Sequence, residues 1–171
     1  MRRTYPLLIA LSLFLAACQQ RPSPPAASSP GAPPAAAPAS MLPPAAKPAD
    51  ALASHNTNWS GVVADVTEFR RKGNVLTALV RLRNTLTGSH IVQFSIGGVY
   101  LMDEAGAKKY EVLTDEKGSY IASSTGLFTE DVGGNGITVW MKFPAPPLET
   151  KTATLAMSQM LPFEDLPIQD Q

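Results

Sequence analysis

The sequence of 171 residues contains 14 lysines and arginines against 14 aspartates and glutamates, so its formal net charge at pH 7 is zero. With this balance and no long basic run, the sequence lacks the electrostatic signature of a nucleic-acid-binding protein. It contains a single cysteine, Cys18, and therefore cannot form an internal disulfide framework.

The first 18 residues have the organisation of a secretory signal. Residues 1–5 carry two arginines, and residues 6–17 form an apolar run. The run has the length of a signal-peptide core and is shorter than the roughly 20 apolar residues of a membrane-spanning helix. It ends in Leu15-Ala16-Ala17-Cys18, a stretch that resembles the lipobox of bacterial lipoproteins.

This resemblance implies that residues 1–17 are removed and that Cys18 becomes a lipid-carrying N-terminus. In that family the residue after the cysteine influences sorting, and Gln19 indicates the outer membrane, facing the periplasm or the cell surface. The alternative is an ordinary secretory signal that happens to precede a cysteine. Because secreted domains generally use cysteines in pairs, a single one favours lipid attachment.

Residues 18–55 are predicted to form a tether rather than a folded unit. They consist mostly of proline, alanine and serine, with almost no large apolar side chains. Such a segment cannot bury enough surface to offset the entropy of ordering, and proline favours extended polyproline II structure. We therefore expect a disordered, semi-rigid linker between the lipid and the domain.

Residues 56–168 are predicted to form the packed domain, with residues 169–171 as a tail. Two stretches, 75–83 and 137–143, alternate apolar and polar side chains, which is typical of half-buried strands. The side chains predicted to face the core are Leu76, Ala78, Val80 and Leu82 in the first stretch, and Ile137, Val139, Met141 and Phe143 in the second. Further predicted strands are 59–69, 90–96, 99–102, 108–113 and 150–157.

Turn residues separate these strands. Residues 103–106 and 115–118 are predicted as hairpin turns ending in glycine, with Gly106 suited to a positive φ. No stretch combines helical periodicity with helix caps. About seven short strands at this spacing predict an all-β fold, an antiparallel immunoglobulin-like sandwich.

A further pattern is carried by Asn84, by residues 101–106 with Tyr110, by residues 140–147 and by residues 162–168. It resembles small immunoglobulin-like domains of bacterial lipoproteins and secreted proteins, many of them of unknown function. The resemblance spans most of the predicted domain and implies the fold, but it carries over no catalytic residue. Antibody-type domains differ because they contain a disulfide between their sheets.

No strong catalytic or metal-binding motif is present. The two histidines, His55 and His90, show no paired ligand spacing, and no G-x-S-x-G motif occurs. Met157 and Met160 are spaced as a thioether pair that could bind Cu(I), which keeps a copper or small-ligand carrier as the alternative function. A hydrolase is a weaker alternative. We expect no enzyme activity, no cofactor and no metal.

The sequence points instead to recognition of another envelope protein by a lipid-anchored, non-catalytic domain, such as an accessory component of a secretion assembly. Residues 119–135 form the longest segment without clear strand character, and an exposed strand edge is the other candidate contact. Residues 70–72 are predicted as a solvated loop tip. The candidate partner-binding residues are Tyr120, Phe128, Glu130, Asp131 and Asn135.

Overall fold

Two β-sheets and a two-stranded ribbon make up the computed structural model of the protein, which describes residues 46–171. The predicted signal peptide, Cys18 and most of the tether lie outside this range. The strands are β1 (Ala53–Asn56), β2 (Val62–Lys72), β3 (Val75–Asn84), β4 (His90–Ser95), β5 (Tyr100–Asp103), β6 (Lys108–Glu111), β7 (Leu127–Val132), β8 (Ile137–Pro144), β9 (Thr152–Ala156), β10 (Phe163–Pro167) and β11 (Gln169–Asp170).

The first sheet has the order β1-β2-β3-β8, the second has the order β10-β9-β5-β6, and β4 pairs with β7 in the ribbon. All of these pairings are antiparallel, and β11 adds one parallel pairing to β2. Buried side chains of both sheets belong to one apolar cluster, as expected for a β-sandwich. The predicted all-β class is confirmed. Residues 46–171 contain no apolar helix of membrane-spanning length.

The alternation predicted for β3 and β8 is confirmed by burial. Every predicted core side chain of β3 is fully buried, and so are Val139, Met141 and Phe143 of β8. Ile137 is half-buried and packs against the same cluster. The two strands pair from Val75↔Pro144 to Leu82↔Ile137, so their apolar faces form one continuous wall of the core.

A β-bulge at Thr67 divides β2 into two halves. The register with β3 skips one residue between Val66 and Glu68. Because side chains alternate with a period of two, one extra residue exchanges the faces of everything that follows. Val66 therefore faces the core before the bulge and Phe69 faces it after the bulge.

The bulge also turns Arg71 inward, which corrects the predicted solvated loop tip at residues 70–72. Arg71 is 2% exposed, and its Nε donates to Asp170 Oδ1 at 2.6 Å. Its Nη1 donates to the carbonyl oxygens of Pro146 and Pro147. The guanidinium thus fastens the strand to two later segments of the chain.

The folded part extends past both predicted limits, 56 and 168. β1 lies along the first half of β2, from Ala53↔Val66 to Asn56↔Val63. β11, within the predicted tail, lies along the second half, where Asp170 is opposite Arg71. Together they cover one edge of β2.

Four strands, β1, β7, β10 and β11, were not expected from the sequence. Of these, β7 replaces part of the predicted irregular segment 119–135. The hairpin turn after β5 also differs in detail, because the positive φ occurs at Ala107 (47°) instead of Gly106. A larger residue at Gly106 would displace the buried Asp103 side chain, since a Cβ there would lie 2.6 Å from Asp103 Oδ2.

On the outer face of the first sheet, Asp65 is a buried carboxylate. Ser54 Oγ donates to it at 2.6 Å, and the Arg83 guanidinium donates to both of its oxygens. The neighbouring Arg81 forms a two-point ion pair with Asp50 at 2.9 Å, and this hydrogen bonding holds the pKa of the Asp50 carboxyl below its usual value. Ser54 and Asp50 thereby fix the start of the described chain to the sheet.

We expect Arg71→Ala to reduce the free energy of unfolding by about 2–4 kcal/mol, because it leaves the buried Pro146 carbonyl without a donor and removes the other bonds of the guanidinium. Urea unfolding followed by circular dichroism would measure the loss. Arg70→Ala is the matched control, since Arg70 forms a partly exposed pair with Glu68 and such pairs contribute at most about 1 kcal/mol. Equal effects of the two substitutions would contradict the assigned role of Arg71.

Acid should weaken the contact between Arg71 and Asp170. The hydrogen bond from Arg71 lowers the pKa of Asp170 from its usual value of 3.8. A carboxyl with a depressed folded-state pKa stabilises the fold above its unfolded pKa, and this contribution is lost as the pH falls through the folded pKa. Urea midpoints at about pH 6 and about pH 2.5 should therefore differ less for Asp170→Asn than for the unsubstituted chain. Equal differences would contradict the prediction.

Candidate functional site

The β4–β7 ribbon has a buried face that fixes it to the domain. Val92 and Phe94 of β4 and Phe128 of β7 are buried in the core cluster. Phe94 and Phe128 are directly opposite each other, with ring centroids 5.1 Å apart, and Trp59 packs against Phe94 at 6.2 Å. The ribbon is thus a rigid part of the molecule.

The opposite face of the ribbon, which we call the ribbon face, points to solvent. It is made of Ile91, Gln93 and Ser95 from β4 and Leu127, Thr129 and Asp131 from β7. Ile91 is 71% exposed and Leu127 is 59% exposed. Gln93 Nε2 donates to Thr129 Oγ1 at 3.1 Å across the centre of the face.

Ile91 and Leu127 occupy opposite ends of the ribbon face. Ile91 lies opposite Asp131, whereas Leu127 lies opposite Ser95, four residues further along β4. At about 3.3 Å per residue the two positions are about 13 Å apart. Single exposed aliphatic side chains are ordinary on protein surfaces, but two on one small, rigid face form a candidate contact surface.

The ribbon also has an open side along β4, which we call the free edge. The N–H of Ile96 donates to the Gly126 carbonyl at 2.8 Å, which continues the ladder of β4 and β7 by one pair. In an antiparallel ladder the backbone groups of successive residues point alternately toward and away from the partner strand. The backbone N–H and C=O groups of Ile91, Gln93 and Ser95 therefore point away from β7, and among residues 46–171 β4 pairs only with β7.

Other strand edges of the described domain are covered or protected. Residues 121–123 cover β8 through the bonds of Lys142 N–H to Ile121 O and of Ser123 N–H to Trp140 O. β6 carries Lys108 and Lys109, and β7 carries Glu130 and Asp131. Charged side chains discourage pairing with another strand.

The edge of β10 is interrupted by local irregularity, and a neighbouring segment bonds to the chain just after β1. β10 contains a bulge, a positive φ of 52° at Asp165, and Pro167. Beside β1, the N–H of Asn58 donates to the Gln159 carbonyl. β4, by contrast, contains no Asp, Glu, Lys, Arg or Pro. Its edge therefore has three consecutive outward-facing backbone positions without such protection.

The five predicted partner-binding residues occupy different environments. Glu130 and Asp131 are exposed on β7, and Asn135 is exposed in the turn that follows. Tyr120 is half-buried, with its hydroxyl against the backbone of Gly97. Phe128 is buried, so it supports the ribbon from beneath. Glu130, Asp131 and Phe128 thus belong to the ribbon, while Tyr120 and Asn135 flank it in the chain.

The sequence did not single out Ile91, Gln93 or Leu127. Residues 90–96 were predicted as a strand, but which face of that strand meets the core could not be decided because apolar residues occur on both faces. One face of this strand carries Ile91 beside the polar Gln93 and Ser95, and this pattern was the available signal for an exposed aliphatic side chain.

The residues considered for copper or small-ligand binding occupy different environments in the fold. Met157 is buried in the core cluster, and Met160 packs against that cluster. His55 packs on Phe163 with ring centroids 4.8 Å apart, whereas His90 begins β4. In the described part of the chain, no three or more His, Cys, Asp or Glu side chains are grouped as metal ligands.

No model of a known protein family matches the sequence, and no curated protein or solved structure matches it. The functional inference therefore depends on the chain's own residues and on the geometry of the ribbon.

Proposed function

We propose that this protein is a lipid-anchored lipoprotein of the bacterial cell envelope that presents a non-catalytic, immunoglobulin-like β-sandwich to another envelope protein. Leu15-Ala16-Ala17-Cys18 supports the anchor, and Gln19 supports its placement at the outer membrane, facing the periplasm or the cell surface. The facing antiparallel sheets support the domain type. The placement of Asp50 and Ser54 on the first sheet supports a defined point at which the tether joins the domain.

The length of the tether would allow the domain to lie well away from the membrane. Residues 18–49 precede Asp50, which is paired with Arg81 on the sheet, and they are rich in proline. A fully extended polyproline II chain rises about 3.1 Å per residue, so this segment would span at most about 100 Å. The domain could thus meet a partner well beyond the lipid headgroups, as an accessory component of an envelope assembly would need.

The ribbon face is the proposed contact surface, and the exposure of Ile91 and Leu127 on this one face is the observation that carries the proposal. Exposed apolar side chains on a rigid surface bind a partner without a large ordering cost. Gln93 and Thr129 between them offer polar contacts. Asp131 at the end of the face favours a partner with neutral or basic groups there, since complementary charge speeds encounter.

Cys18→Ser should move most of the protein from the membrane fraction to the soluble fraction, because it removes the proposed site of lipid attachment. Cell fractionation followed by immunoblotting would show the change, and the mass of the processed chain would show whether lipid is present. Ser12→Ala is the control, since it leaves the apolar run and the cysteine intact. A Cys18→Ser protein that stays with membranes and is processed as before would rule out the anchor.

Leu127→Glu should abolish crosslinking of the ribbon to its envelope partner, because it places a charge on the proposed contact. A photoreactive amino acid at Thr129 would trap the partner in cells for mass spectrometry. Leu161→Glu is the matched control, because Leu161 is 69% exposed and lies outside the ribbon. Both substitutions should change the free energy of unfolding by no more than about 0.5 kcal/mol, as is usual at exposed positions.

The partner should be one specific envelope protein. Recovery of only lipid and abundant porins, or loss of the crosslink by both substitutions, would contradict the proposed contact surface.

A further inference from the structure

We propose that the free edge of β4 pairs with β4 of a second copy of this chain, antiparallel and around a two-fold axis at Gln93. The result is a four-stranded ribbon in the order β7-β4-β4-β7. This inference goes beyond the proposed function, because it uses the edge of the ribbon, whereas the envelope partner contacts the ribbon face. Side chains of the ribbon face contribute to both surfaces, but only the pairing uses the backbone groups of the free edge.

The backbone geometry selects Gln93 as the centre of the pairing. The groups that point to the free edge belong to Ile91, Gln93 and Ser95, and Gln93 is the middle residue of the three. Pairing around Gln93 places Ile91 opposite Ser95 of the other copy, so three opposed pairs each exchange two hydrogen bonds. A centre shifted to Val92 would leave Ser95 outside the bonded pairs.

The side chains of the ribbon face are complementary in this register. Gln93 of each copy lies opposite Gln93 of the other, and a carboxamide has donors and acceptors for such a pair as well as for its bond to Thr129. In the neighbouring row, which runs across the strands, Leu127 lies beside Ser95 of the same copy, and Ser95 lies beside Ile91 of the other copy. The two exposed aliphatic side chains, separated within one chain, are thus brought into the same row across a small serine.

Charge does not oppose this pairing. β4 contains no Asp, Glu, Lys or Arg, so no like charges meet at the new strand boundary. The acidic residues Glu130 and Asp131 lie on β7, and the two β7 strands would be three strand spacings apart, about 14 Å. This separation exceeds the Debye length of about 8 Å at physiological ionic strength, so their repulsion is screened.

A second copy fits the edge better than the chain's own proline-rich segment. Proline has no backbone N–H to donate to a ladder, and prolines recur throughout residues 22–44. Pairing of like edges around a two-fold axis also uses the free edge of both copies, so assembly stops at two. Lipid anchoring would favour it further by confining copies to one membrane surface.

Charge substitutions at Gln93 test this register directly. Two full-length copies with different tags would be produced in the same cells. One copy would be purified by its tag, and the amount of the other copy that is recovered with it would be measured by immunoblotting. Unsubstituted copies should copurify. Gln93→Lys in both copies should reduce recovery at least about tenfold, because like charges lie directly opposite, and Gln93→Glu in both should do the same. One copy with Gln93→Lys and the other with Gln93→Glu should restore recovery.

Thr129→Lys in both copies is the matched control, since Thr129 lies on the same face but on β7, away from the free edge. Its recovery should equal that of the unsubstituted pair. Restoration by the mixed charges also shows that the substituted chains are folded. Absence of copurification between unsubstituted copies, equal recovery in all combinations, or failure of the mixed pair to recover would overturn the proposal.

The outcome separates this proposal from the proposed function. If Leu127→Glu removes the envelope crosslink and leaves the copies paired, both stand. If copies pair but no envelope protein is trapped at Thr129, only the proposed function fails. If unsubstituted copies never copurify while an envelope protein is trapped at Thr129, only the pairing proposal is overturned.

Discussion

The β-bulge at Thr67 adds one residue to β2 relative to β3. As a result, the alternation of inward and outward side chains along β2 is reversed beyond that point. Before the bulge, Asp65 lies on the outer face, where Ser54 and Arg83 donate to it. After the bulge, Arg71 faces inward and reaches the carbonyls of Pro146 and Pro147. Each half of the strand thus carries one buried charged side chain whose hydrogen-bond partners come from specific neighbouring segments.

This arrangement explains why one edge of β2 is shared by two distant segments. β1 pairs along the half that contains Asp65, and β11 pairs along the half that contains Arg71. A buried charge is tolerated only when it is paired and hydrogen-bonded, so Asp65 and Arg71 favour this pairing over alternatives.

The parts of the fold that could be predicted are those where burial imposes a strict period. β3 and β8 are buried on one face along their length, so their alternation is visible in the sequence. β7 was missed because only Phe128 and Val132 of its six residues are buried. The face of Arg71 depends on a bulge, and a bulge leaves no clear signal in residue type.

The same reasoning explains why the candidate site was predicted only in part. The sequence located the segment with Phe128, Glu130 and Asp131 but not its strand conformation, so a buried ring and two exposed carboxylates were treated alike. Ile91 and Gln93 were placed on a strand, yet their role depends on which strand lies beside β4 and which side is left open. The position of neighbouring strands is set by tertiary structure, and the local sequence of β4 contains no pattern that specifies it.

The parallel pairing of β11 with β2 has a consequence for biosynthesis. Arg71 and Asp170 are 99 residues apart in the chain. At synthesis rates of about 5–20 residues per second, the half of β2 beyond the bulge is made roughly 5–20 s before β11. During that time a hydrogen-bonding edge and a guanidinium without its carboxylate are both uncovered. A holding factor that binds extended, unpaired strands would protect the chain most during this interval, between the making of β2 and the arrival of β11.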